Sequence, residues 1–192
     1  MTESETVDSE KCVRGKFWHS ATRGTEKESV MSSTQRLPYA ETCLCIVPVE
    51  RILPLRHRVL RDGLPPESAR FPGDHDSDTL HFAAYETNRG WPKGEPIGCL
   101  SLVLSEYADV PAWQLRGMAI EPSLQGKGTG KTLLRYALTH VQECVFYSDV
   151  NRLWCNARTT AVRFYESEGW RVDSDVFDIP TAGPHVRMVK DW

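Results

Sequence analysis

Between Leu115 and Leu134 the chain reads LRGMAIEPSLQGKGTGKTLL, and this stretch leaves few folds open. A partly alternating apolar strand runs into a turn at Glu121 and Pro122, and a loop follows in which Gly126, Gly128 and Gly130 alternate with Lys127, Thr129 and Lys131. Leu133, Leu134, Ala137, Leu138 and Val141 then recur at helical spacing. A strand that passes into a helix through glycines gathers backbone N–H groups and the positive end of a helix dipole in one place, an arrangement suited to phosphate. Lys127 and Lys131 add positive charge there. An α/β fold organised around a phosphate-binding turn is the expectation.

Two phosphate loops compete for this segment. Gly130, Lys131 and Thr132 match the end of the nucleoside-triphosphate loop G-x-x-x-x-G-K-[ST], but that loop needs its first glycine at position 125, where Gln125 stands. No apolar strand ending in Asp is present to hold magnesium. The triphosphate reading therefore needs a shortened loop and lacks its metal-binding partner.

A chain of 192 residues suits one domain with a full core. A net charge of -3 gives no basic face for nucleic acid. No run approaches the roughly 18 apolar residues of a membrane span, and no apolar signal core opens the chain, so a cytoplasmic protein is expected. Its six cysteines, Cys12, Cys43, Cys45, Cys99, Cys144 and Cys155, form no C-x-x-C pair and sit mostly in apolar segments, which reads as buried thiols.

Residues 1–38 are polar and rich in Ser, Thr and Glu, a composition that predicts a disordered tail before a domain spanning 39–192. Strands are predicted at Thr42–Val49, Thr79–Glu86, Ile97–Leu104, Ala112–Ile120, Arg152–Asn156, Arg171–Val176 and His185–Lys190. Helices are predicted at Val49–Leu60, with Pro54 tolerable only near its first turn, at Gly128 to about Phe146, and at Thr160–Glu168 closed by Gly169. A short helix near Glu67–Arg70 interrupts the turn-rich LPPESARFPGDHDSD. Thr79–Glu86 and Ile97–Leu104 read as a hairpin.

The spacing Gln125, Gly128, Gly130 resembles the pyrophosphate loop, Q/R-x-x-G-x-G/A, of the GNAT family of N-acetyltransferases. About thirty residues on, Ala161, Phe164, Tyr165, Glu166, Gly169 and Trp170 resemble the family's second signature, A-x-x-x-Y-E followed by a glycine and an aromatic. The order of elements matches as well. The resemblance implies a single-domain GNAT fold, a mixed sheet of about six or seven strands with helices on both faces. It implies acetyl-CoA as co-substrate, no metal, and transfer without a covalent intermediate to an amine on a small molecule, protein or peptide. Family members often pair through their late strands, so a homodimer is the implied assembly. A non-catalytic acyl-CoA sensor on the same fold is the alternative function.

By the same resemblance, cofactor contacts fall to Gln125, Gly126, Lys127, Gly128, Thr129, Gly130 and Lys131, and to the backbone of Met118 and Ile120, with Gly117 easing a bulge. Tyr165 matches the tyrosine that faces the cofactor sulfur. Where many members carry Asn, this chain has Arg158, with Asn156 two residues earlier. The attacking amine has to be neutral, and the candidate bases are His81 and His185, with Glu86 and Glu121 behind them. Asp74, His75, Asp76, Asp78 and His81 lack the spacing of a calcium loop or a zinc site and read as a solvated turn. Arg56, Arg58 and Arg61 read as exposed charge, with recognition of a substrate carboxylate as the other use for them.

Overall fold

The computed structural model describes residues 12–13, 42–88, 91–144 and 149–192. Its strands are β1 (Cys12–Val13), β2 (Thr42–Ile46), β3 (Thr79–Asn88), β4 (Trp91–Tyr107), β5 (Val110–Ile120), β6 (Arg152–Arg158), β7 (Arg171–Val172), β8 (Phe177–Ile179) and β9 (Gly183–Asp191). Its α-helices are α1 (Val49–Leu60), α2 (Thr129–Glu143) and α3 (Val162–Glu166). The strands join in one sheet in the order β1-β2-β3-β4-β5-β6-β9-β7, with β8 attached to β9. Every pairing is antiparallel except β5 with β6.

Alternate residues of the central strands point to opposite faces, and both sets are apolar. Leu44, Phe82, Ala84, Leu100 and Leu102 join Leu133, Leu134, Ala137, Leu138 and Val141 of α2 in one core. Cys43, Cys45, Ala83, Tyr85 and Cys99 face the other way, against Val49, Ile52 and Leu55 of α1. Each fully buried Leu or Ile contributes roughly 1.5–3 kcal/mol, so the helices are held by burial on both faces, as the α/β reading requires. Among the described residues the sheet has six longer strands, as expected, with the two-residue β1 and β7 and the three-residue β8 added at its edges.

The differences from the sequence reading have local causes. Within the segment expected to be a tail, Cys12–Val13 pairs with β2, and the remainder of that segment lies outside the described residues, as does the end of the helix predicted to reach Phe146. Pro54 falls at the sixth residue of α1, past the first turn, and forfeits a backbone hydrogen bond there. The helix predicted over Thr160–Glu168 is a 3-10 turn, Thr159–Ala161, followed by the single short α3, after which Gly169 turns the chain with φ +81°. The strand predicted at Arg171–Val176 is limited to β7, Arg171–Val172, and β8 follows beyond it at Phe177–Ile179. Cys43 is disulfide-bonded rather than a free thiol, whereas Cys99 and Cys155 are free and buried.

The largest departure concerns Arg56 and Asp74, both read as solvated. Arg56 is fully buried and Asp74 nearly so. The Arg56 guanidinium donates to Asp74 Oδ2 at 2.6 Å, to the Ala69 carbonyl at 3.0 Å and to Ser101 Oγ at 2.7 Å, and it stacks 4.6 Å from the centre of the Phe71 ring. Asp74 Oδ2 also accepts from the Phe71 N–H at 2.8 Å. The pair ties the segment between α1 and β3 to the sheet through Ala69, Phe71 and Ser101. No helix among the described residues is long and apolar enough to cross a membrane.

Candidate active site

The site arises where the sheet opens. β5 and β6 are paired only at Trp113 with Leu153 and at Gln114 with Trp154. Past Gln114 the two strands part, and β5 bulges. Cys99 pairs with Ala119 and Ser101 with Arg116, so three steps on β5 oppose two on β4. Gly117 takes up the extra residue at φ +62°, and a Cβ there would lie 2.8 Å from Arg56 Nε. Glycine is thus demanded by conformation and by the buried guanidinium together, and the bulge expected at Gly117 is present.

The parting leaves a cavity of about 320 Å³. Gln114, Arg116, Asn156 and Arg158 line it, as do Leu115, Met118, Ala157 and Tyr165. The last four belong to or pack on the α2 core, whereas the first four alternate with residues of that core and so lie on the α1 side of the sheet. The cavity therefore passes through the sheet from one face to the other. Leu60, Arg61, Phe71 and Pro72 close it after α1, and Ile179, Ala182 and His185 close it from the β8–β9 hairpin.

At the end of β5 the glycine-rich loop turns into α2. Gln125 Nε2 donates to the Ile120 carbonyl at 3.0 Å, folding the loop back on the strand and occupying that carbonyl. Gly126 and Gly128 have φ of +71° and +90°, with nothing within 4 Å of a notional Cβ, so conformation rather than crowding requires glycine there. Gly130 differs: a Cβ would meet Met118 Cε at 3.3 Å and Ile120 Cγ1 at 3.4 Å, and its absence lets the helix settle on the strand. The first backbone bond of α2 runs from the Thr132 N–H to the Gly128 carbonyl, and no side chain caps the helix. The N–H groups of Gly128, Thr129, Gly130 and Lys131 thus have no acceptor within it. Lys127 is exposed. Lys131 is tied to Glu168 at 2.6 Å, and Arg135 reaches the same carboxylate at 2.8 Å. Burial alone would raise the Glu168 carboxyl, but the hydrogen bonds from Lys131 and Arg135 outweigh it and hold the group below the usual carboxylate range.

Tyr165 is buried, with its hydroxyl 3.7 Å from Met118 Sδ. Its ring meets Phe164 and Trp170 edge-on at 5.0 and 5.3 Å. Burial, reinforced by nearby Cys155, pushes the phenol well above its ordinary value, so the group is a proton-bearing donor throughout the physiological range. Burial also raises the Cys155 thiol and pushes that of Cys99 up to about 12. Neither is an activated nucleophile.

The two histidines separate cleanly. His185 lines the cavity, opposite Arg158 in the sheet. Its Nδ1 lies 2.7 Å from the Gly183 carbonyl, and a carbonyl can only accept, so Nδ1 carries the proton and Nε2 the lone pair of the neutral ring. His81 does not line the cavity. Its Nε2 donates to the Asp74 carbonyl at 2.8 Å, and its Nδ1 accepts from Ser101 Oγ at 2.7 Å. Both nitrogens are engaged in the buried Arg56 network, and burial lowers its pKa. The geometry makes His81 a strut rather than a base. Of the other candidates, Glu121 binds Arg58 at 2.9 Å, and Glu86 is exposed and away from the cavity lining.

Arg158 lies on the cavity wall and donates to the Leu60 carbonyl at the end of α1, at 3.3 Å. None of residues 125–131 shares that wall. Asn156 and Arg61 are cavity residues that the motif did not single out. The Asn156 Oδ1 is buried without a hydrogen-bond partner. Its signal lay in alternation: Leu153, Cys155 and Ala157 are buried apolar positions of β6, so Asn156 and Arg158 had to share the opposite face. Among the described residues no group of three or more His, Cys, Asp or Glu side chains is placed to hold a metal.

The acetyltransferase (GNAT) domain family model matches residues 77–172. The uncharacterized N-acetyltransferase YitI of Bacillus subtilis (strain 168) is 28% identical over 150 residues, covering 75% of this chain and 92% of its own. A Lactobacillus plantarum structure described as an N-acetyltransferase superposes with a TM-score of 0.60 at 22% identity, covering 78% of this chain and 97% of its own. An aminoglycoside 6'-N-acetyltransferase complexed with coenzyme A superposes with a TM-score of 0.57 at 13% identity, covering 77% and 96%. The structural likenesses concern the fold.

Proposed function

Since the chain belongs to the GNAT family of N-acetyltransferases, we propose that it moves the acetyl group of acetyl-CoA directly to a primary amine, with the reaction centred in the gap between β5 and β6. The gap, with Tyr165 on its wall, is the observation that carries this reading. A cofactor entering from the α2 side sets its pyrophosphate at the loop of Gly126–Lys131, where the N-terminal N–H groups of α2 have no helical acceptor. Lys127 supplies exposed charge; Lys131 does so only by sharing itself with Glu168. The pantetheine arm then runs along the backbone of Met118 beyond the bulge.

The amine reaches the thioester from the α1 side. Its nitrogen attacks the carbonyl carbon, a C–N bond forms, and the C–S bond breaks to release the CoA thiolate. His185 Nε2 takes the proton the amine must lose. At pH 7 that loss costs about 4.6 kcal/mol for an alkylamine and about 1 kcal/mol for an α-amine, so the need for His185 grows with acceptor basicity. Tyr165 donates a hydrogen bond to the departing sulfur. Full proton transfer is already uphill by roughly 2 kcal/mol between an ordinary phenol and a thiol, and burial of Tyr165 steepens it. Stabilisation of the thiolate is its role.

Purified protein is incubated with acetyl-CoA and a library of primary amines, and free CoA thiol is followed. Amine-dependent thiol release is expected. Acetyl-CoA binding with no release on any amine would favour an acyl-CoA sensor, and magnesium-dependent ATP binding in place of acetyl-CoA would favour the triphosphate loop.

A further inference from the structure

The α1 side of the cavity has a charge imbalance that acetyl transfer alone does not require. Arg61, Arg116 and Arg158 line it, and no Asp or Glu does. Other arginines nearby are neutralised: Arg56 by Asp74 at 2.6 Å, and Arg58 by Glu121 at 2.9 Å. Arg116 lies 3.7 Å from Asp74 and donates to the Pro72 carbonyl. Arg61 and Arg158 have no ion pair with any described residue. Arg61 has the Phe71 ring 5.3 Å away, and Arg158 has only its 3.3 Å hydrogen bond to the Leu60 carbonyl. Both are partly buried.

We propose that the acceptor is a small primary amine bearing a carboxylate or phosphate, whose anionic group lies between the Arg61 and Arg158 guanidiniums. This rests on the acetyltransferase reading and adds the class of its acceptor. Two guanidiniums that share a cavity without counter-charge repel one another, and a bound anion removes the conflict while accepting their forked N–H donors. Burial, and after it the Arg158 charge, lowers the Arg61 pKa. These guanidiniums are set apart from the phosphate loop, since residues 125–131 do not line the cavity. A polyamine or other polycationic acceptor would meet like charge at the same wall.

The test compares kcat/KM for matched amines: 4-aminobutyrate with its amide, phosphoethanolamine with ethanolamine, and spermidine and kanamycin as cationic acceptors. Acetyl-CoA binding is measured separately by calorimetry. At least one anionic member is expected to exceed its neutral partner by about ten-fold, the scale of a partly screened charge-assisted contact, and whichever pair shows it distinguishes carboxylate from phosphate. Arg61→Ala is expected to abolish that advantage through KM, whereas Arg152→Ala, which removes an equal charge outside the cavity, preserves it. Turnover confined to neutral or cationic amines, or an advantage that survives Arg61→Ala, overturns the acceptor assignment and leaves the transferase standing. Failure to bind acetyl-CoA overturns the transferase reading, and the acceptor assignment falls with it.

Discussion

Replacing Tyr165 by Phe removes one oxygen and little else. The ring keeps its edge contacts with Phe164 and Trp170, and the hydroxyl's one described contact, 3.7 Å to Met118 Sδ, is too weak to cost more than about 1 kcal/mol of stability. Catalysis loses more. A hydrogen bond to a charged partner contributes about 1.5–3 kcal/mol, which at 1.36 kcal/mol per decade is a loss of roughly 10- to 150-fold in the chemical step. Acetyl-CoA affinity should stay nearly unchanged, because the bond strengthens only as the sulfur acquires charge. Burial holds the phenol protonated, so the deficit should be the same from pH 6 to about pH 9. Single-turnover thiol release with saturating acetyl-CoA isolates the step from product release. Equal rates for the variant and the parent protein would remove Tyr165 from the mechanism, and a deficit that vanished at high pH would mean that its proton is transferred rather than shared.

Gly128→Asp places a carboxylate at φ +90° in the glycine-rich loop, and calorimetry should show acetyl-CoA affinity reduced by at least about ten-fold through left-handed strain and charge; an unchanged Kd would refute the pyrophosphate assignment. Asp74→Ala strands the buried Arg56 charge and should destabilise the fold by about 3–5 kcal/mol in urea, with Arg56→Met in the same chain restoring much of it. Because burial lowers the His81 pKa, the unfolded chain binds that proton first. The His81 contribution is therefore intact above about pH 6.5 and declines as pH falls from there through the folded pKa. His81→Gln should flatten urea midpoints across that interval, and an unaltered slope would show that His81 is not the titrating group.

The glycine-rich loop leading into α2, the bulge at Gly117 and the two-faced sheet were legible because each depends on residue type at short spacing. Glycine is favoured where φ is positive, as at Gly117, Gly126 and Gly128, and apolar alternation repeats along the central strands. The Arg56–Asp74–Ser101–His81 network was not. Its members lie up to 45 residues apart, and in sequence a buried arginine looks like any other. His81 therefore read as a candidate base, yet both its nitrogens are engaged in that network, whereas His185, equally isolated in sequence, came to the cavity because β9 sets it beside Arg158. The β5–β6 gap was also hidden, since strand parting leaves no mark on composition. Arg158 shows the reverse limit. Motif position assigned it to the cofactor, and alternation along β6 turned it to the α1 side with Arg61.

The central claim is that acetyl-CoA runs from the N-terminus of α2 into the gap between β5 and β6. Titrating isotopically labelled protein with acetyl-CoA and following backbone amide shifts tests this directly. The largest, saturable shifts are expected at Gly126 through Lys131 and at Gly117 and Met118. Shifts that leave these amides unmoved, or that appear only with ATP and magnesium, would contradict it.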